Sequence, residues 1–155
     1  MSAIQVSNFI QESPDRVFDV FADLRQAADR IEDITHLEVL DDKPIGVGTR
    51  WRETRRVFGK EHTEEMEITA FSRPHSYKVE AGGPSVHYLT QLQFEAEGDG
   101  TKVTMSFDAT PKTFMTKIFN ALTGPMMRKS MIKCLEKDMA GLKQFLESGD
   151  AGQSS

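Results

Sequence analysis

Cysteine is almost missing from this chain: Cys134 is the only one in 155 residues. No internal disulfide can form, which fits a reducing compartment, and its place inside a helical pattern reads as a packed thiol rather than a nucleophile. The four histidines His36, His62, His75 and His87 fall in separate segments, without His-x-x-x-His or His-Glu-x-x-His spacing. No metal centre is expected from them. There is no Gly-x-Ser-x-Gly elbow, and Ser85 and Asp108 make no recognisable nucleophile motif with His87. Gly46-Val47-Gly48 and Gly82-Gly83-Pro84 read as turns, since neither opens a helix, so nucleotide chemistry and a bound cofactor are not expected.

Long apolar runs are also missing. No stretch approaches the length of a membrane span, and residues Met1–Ile10 lack a basic region followed by an apolar one. Membrane insertion is not expected, and the cytoplasm is the simplest location. Positive charge is in the minority, with 19 Lys and Arg against 24 Asp and Glu and a formal net charge of −5. That balance argues against a general nucleic-acid-binding surface. The basic strip Arg128, Lys129 and Lys133 reads as a solvated face. Nothing in the sequence fixes an oligomeric state.

What is present is the composition of one soluble domain, 38% hydrophobic and 28% charged. The domain is expected over residues 1–148, with a disordered tail of small and polar residues over 149–155. Ile4, Val6, Asn8 and Ile10 alternate as in a first strand. Ser13-Pro14-Asp15 then supplies a cap, a proline at the first helical position and an acid in the first turn of a helix, whose buried side is Val17, Phe18, Val20, Phe21 and Leu24. A second short helix is expected around Arg25–Arg30. From Pro111 to Ser148 apolar residues recur at helical spacing, predicting one long terminal helix with a kink or break at Thr123-Gly124-Pro125.

Between these helices the turns set strand registers. Gly59-Lys60 as a two-residue hairpin pairs Arg55 with Glu64 and Trp51 with Ile68, leaving Glu53 opposite Met66. Gly82-Gly83 pairs Val79 with Val86 and Tyr77 with Tyr88, while Glu97-Gly98-Asp99-Gly100 pairs Phe94 with Val103, Leu92 with Met105 and Thr90 with Phe107. Together these registers collect Trp51, Met66, Ile68, Tyr77, Val79, Val86, Tyr88, Leu92, Phe94, Val103, Met105 and Phe107 on one face. Charged residues collect on the other. The apolar face must be covered by the long helix, which predicts an α+β fold with a curved antiparallel sheet of about seven strands and a cavity beneath the helix.

The order strand, two short helices, six strands, long helix resembles the START-like helix-grip superfamily, and within it the polyketide cyclase/dehydrase and lipid-transport branch. The likeness is carried by Ile10 through Ser13-Pro14-Asp15-Arg16-Val17-Phe18, by Gly46-Val47-Gly48-Thr49-Arg50-Trp51-Arg52 and by Gly100-Thr101-Lys102-Val103-Thr104, and it extends over residues 3–147. It implies a cavity between sheet and helix that holds hydrophobic or aromatic ligands. Members of the superfamily range from cyclases and hydrolases to carriers and receptors.

The polar exceptions on the apolar face are Glu53, Arg55, Glu64 and Thr90, with the hydroxyls of Tyr77 and Tyr88. Polar groups facing a core need partners, so they mark an internal ion pair or a solvated, ligand-holding cavity. In the register above Arg55 and Glu64 satisfy each other. Glu53 is left as the candidate functional carboxylate, unless it pairs with Arg55 along its own strand or reaches water at the rim. A ligand is expected against Trp51, Glu64, Met66, Tyr77, Tyr88, Thr90, Leu92, Met105 and Phe107 from the sheet and Phe114, Ile118, Met127 and Met131 from the helix, residues that would look the same as plain core. The expected function is binding or transport of a small hydrophobic molecule. The alternative is a cyclase or dehydratase in which Glu53 and Arg55 manage protons at an enolisable carbon.

Overall fold

A computed structural model describes residues 4–57, 59–82, 86–111 and 113–148, with the side chains at 57, 111, 114–125 and 127 outside that description. The tail expected over 149–155 lies outside the described residues. Strand β1 (Ile4–Ile10) leads through Ser13 into helix α1 (Pro14–Phe21), a 3₁₀ turn (Leu24–Gln26) and the short helix α2 (Ala27–Arg30). Six strands follow: β2 (Ile34–Val39), β3 (Arg50–Val57), β4 (Lys60–Ser72), β5 (Ser76–Gly82), β6 (Val86–Glu97) and β7 (Gly100–Pro111). Helix α3 (Phe114–Glu147) completes the described chain. No helix among the described residues is long and apolar enough to cross a membrane.

The strands form one antiparallel sheet in the order β1-β7-β6-β5-β4-β3-β2. Its β6–β7 register is the one expected, with Phe94 opposite Val103 and Thr90 opposite Phe107. Two other registers differ. Trp51 faces Met66 rather than Ile68, because Val57 pairs with Lys60 and Gly59, at φ 75°, takes the second place of the two-residue turn instead of the first. Tyr77 faces Leu92 rather than Tyr88, because Gly82 itself pairs with His87 and the connection is longer than two residues. At Gly82 a Cβ would come within 2.8 Å of the Val86 carbonyl oxygen, so the chain closes tightly just where a side chain is missing. Both slips are by an even number of residues. Side chains alternate with period two, so the inward-facing set survives while the partners change.

Ser13 caps α1, its hydroxyl accepting from the Arg16 amide at 3.4 Å, and Pro14 sits at the first helical position. This start aims Val17, Phe18 and Phe21 into the sheet. The Phe18 ring meets Phe71 and Phe94 edge-on at 5.1 Å and Tyr77 at 5.5 Å. Phe71 reaches the inner face through a register shift between Ile68 and Ala70 that alternation alone does not foretell. Along α3, Leu135, Met139, Leu142 and Leu146 are buried in the same cluster as Val6, Ile10 and Val103. The helix begins at Phe114, after β7 has run to Pro111, and continues past Pro125, so of the expected kink or break no break is found. Proline there still leaves the Ala121 carbonyl without its usual amide partner.

Because Phe18 is wholly buried among three rings, Phe18→Ala is expected to cost about 3–5 kcal/mol of unfolding free energy in urea denaturation. A loss under about 1 kcal/mol would mean that α1 does not anchor the sheet.

Candidate functional site

Antiparallel alternation brings the β3–β4 turn, the β5–β6 connection and the β7–α3 junction to the same end of the sheet. The polar inner-face residues gather toward that end. Glu53 stands opposite Glu64 and Arg55 opposite His62, while Met66, Ala81, Tyr88 and Ala109 form the next row across β4 to β7. The expected pairing of Arg55 with Glu64 is therefore not made, and Glu53 faces a carboxylate rather than Met66. The two-residue register slip is the reason.

Arg55 instead bridges sheet and helix. Its Nε donates to Glu53 Oε2 at 2.5 Å, its Nη1 to Asp138 Oδ1 at 3.1 Å, and its Nη2 lies 2.7 Å from Asp138 Oδ2. The fork geometry matches a bidentate guanidinium–carboxylate contact. Glu53 Oε1 also accepts from the Trp51 indole N–H at 3.3 Å. Glu53 and Asp138 are both buried, at 7% and 6% exposure, which is tolerable only because each is paired. Burial alone would lower the Arg55 pKa, but Asp138 and then Glu53 more than reverse it, so the guanidinium stays charged. Burial pushes the Asp138 carboxyl up and Arg55 pulls it back, leaving it above the usual aspartate range. Asp138 was legible as the one acid on the spacing Met131, Leu135, Leu142 and Phe145 of the buried helix face, yet sequence reasoning passed over it.

Glu64, Tyr88 and Thr90 are different. All three are half-buried on the inner face, and among the described residues none of their side chains makes a hydrogen bond or ion pair. None holds a fully buried polar side-chain atom without a hydrogen bond either, a condition found among the described residues only at Arg30 Nη1, which is still 3.3 Å from Asp23 Oδ2. Their oxygens therefore border open space. Burial, then the charge of Glu53, raises the Glu64 carboxyl above its ordinary value. Burial, then Glu64, raises the Tyr88 phenol, whose ring stacks on Phe107 at 5.7 Å.

Other expected lining residues divide between these two settings. Trp51, Tyr77, Leu92 and Met105 are packed in the core, at 2%, 5%, 4% and 7% exposure. The Tyr77 hydroxyl is spent on the Phe21 carbonyl at 3.1 Å. Met66, Phe107 and Met131 are half-buried beside the core. The side chains of Phe114, Ile118 and Met127 lie outside the described residues. Cys134 is half-buried, its thiol held protonated by burial and by Asp138. Two open concavities, of about 510 Å³ beside α1 and Phe145 and about 500 Å³ between Asn8 and the end of α3, lie on the flanks, away from these polar groups.

The sequence matches the profile of the family described as polyketide cyclase / dehydrase and lipid transport over residues 1–147. The chain belongs to this family. Its helix-grip fold is shared with TTHA0849 from Thermus thermophilus, at TM-score 0.77 and 22% identity, covering 96% of this chain and 99% of that one. A START superfamily protein from Mycobacterium smegmatis matches at TM-score 0.77 and 12% identity, covering 94% and 97%. The di-domain ARO/CYC BexL from the BE-7585A biosynthetic pathway matches at TM-score 0.78 and 17% identity, covering 94% of this chain and 50% of that one. At such identities the likeness is one of fold. No curated protein sequence matches the chain.

A carboxyl whose pKa rises on folding adds stability that is complete below its unfolded pKa and is lost as pH rises through the folded value. Glu64, raised from 4.5, is such a group. Glu64→Gln is therefore expected to be more stable than wild type at neutral pH, with the difference closing as pH falls toward 4.5. Thermal or urea unfolding across that range checks it; a variant less stable than wild type at neutral pH would show Glu64 to be paired.

Proposed function

We propose that the chain binds a small hydrophobic molecule against the inner face of the sheet, beneath the first half of α3. The observation that carries this reading is the set Glu64, Tyr88 and Thr90: polar side chains without partners among the described residues, at the edge of an apolar wall formed by Met66, Phe107 and Met131. Such a wall supplies the affinity, and a few convergent polar atoms fix orientation. Family membership supports the reading, since the family description includes lipid transport. In this proposal Trp51, Tyr77, Leu92 and Met105 form the floor of the site and keep it shaped.

A second reading, a cyclase or dehydratase, is favoured by the aromatase/cyclase-type fold likeness and by the elevated Glu64 carboxyl. Proton management by Glu53 and Arg55 would require their network with Asp138 and Trp51 to open. Glu64 needs no such rearrangement and is the better placed proton acceptor.

The test is a thermal-shift and native-mass-spectrometry screen with fatty acids, sterols, flavonoids and aromatic polyketides. A ligand retained unchanged, and weakened several-fold by Tyr88→Phe or Thr90→Val, supports binding. Turnover of a polyketide that Glu64→Gln abolishes supports the enzyme. Full affinity in all three variants would place the ligand elsewhere.

A further inference from the structure

The charges on the inner face do not balance, and this bears on what can enter. Among the described residues its polar end carries three carboxylates, Glu53, Glu64 and Asp138, against one guanidinium, Arg55. That guanidinium is spoken for: its Nε serves Glu53, and Nη1 and Nη2 serve Asp138. His62 shares the register position of Arg55 but stands exposed at the strand end. A carboxylate ligand placed on the apolar wall would therefore meet Glu64 without a free cation among the described residues to receive it. A hydroxyl or ammonium in the same place would find an acceptor in Glu64 and further oxygens in Tyr88 and Thr90.

Resting on the binding reading above, we infer that Glu64 is a specificity-determining residue that selects hydrophobic ligands ending in a neutral or cationic hydrogen-bond donor and rejects those ending in a carboxylate. The physical basis is the weak screening of a partly buried charge: like charges a few ångströms apart repel far more there than in bulk water. Arg55 does not cancel this effect, because its charge is already matched by two acids. The groups facing Glu64 are Glu53 beside it, His62 and Arg55 toward the strand end, and Tyr88 across the sheet. Among the described residues only His62 and Arg55 are basic there, and their pull on Glu64 is outweighed by burial and Glu53. Plain fatty acids are thus poor candidates, and alcohols, phenols and amines on the same apolar body are good ones.

The experiment uses matched probes at neutral pH: decanol, decylamine and decanoate, and naphthol, naphthylmethylamine and naphthoate, titrated into the full chain by calorimetry or fluorescence competition. Wild type should bind the alcohol or the amine about tenfold or more tightly than the carboxylate of the same body. Glu64→Gln should tighten the carboxylate about tenfold and shrink that gap, whereas Tyr88→Phe should weaken the alcohol and leave the carboxylate penalty in place. Carboxylates binding as tightly as the alcohols in wild type overturn the inference while leaving the binding reading intact. A gap unchanged by Glu64→Gln assigns the selectivity to another group and also overturns it. If no probe of either body binds, the binding reading falls, and the selectivity with it.

Discussion

Arg55 held between Asp138 of α3 and Glu53 of β3 is the contact on which the rest of the inner face depends. An apolar stripe alone would let a long helix slide or rotate over a curved sheet. A bidentate charge pair fixes one point of α3 over one point of β3, because two parallel N–H···O bonds tolerate little change in angle. The cost is the burial of three charges, which is offset only while all three stay together. The Trp51 indole holds the remaining oxygen of Glu53 and completes the arrangement.

Beyond this bridge the inner face holds two regions with different surroundings. On one side lies the packed region built on Phe18, Tyr77, Phe94 and Val103, which shapes the sheet and leaves no polar atom of Tyr77 unspent. On the other lie Glu64, Tyr88 and Thr90, whose oxygens have no protein partner among the described residues. Stability argues for pairing every inner-face polar group, so unpaired ones beside a fully satisfied network are where we propose that a ligand's polar end sits.

Much of the fold was legible because it rests on local chemistry. Ser13-Pro14-Asp15 starts α1, and the Gly98 turn sets the β6–β7 register, each from a few adjacent residues. The face assignment of Trp51, Tyr88 and Met105 survived two wrong registers, since an even slip changes partners without changing sides. The site was less legible for the same reason. Which acid Arg55 meets depends on the partner and not on the face, and a slip of two residues exchanged Met66 for Glu64 opposite Glu53. The deciding partner, Asp138, lies 83 positions away from Arg55 on another element, where no turn rule reaches. Proline at position 125 reads as a kink or break, and the helix runs on past it without a break.

The claim that Arg55 belongs to Asp138 rather than to a ligand is tested most directly by a double-mutant cycle on folding stability with Arg55→Met and Asp138→Leu. Both single changes should destabilise the protein, Arg55→Met the more because it strands Asp138 and Glu53 together, whereas the double change removes Asp138 along with its cation and strands Glu53 alone. The account predicts a double variant more stable than Arg55→Met alone, with a coupling of about 1–3 kcal/mol. Losses that simply add, with no coupling, would contradict it.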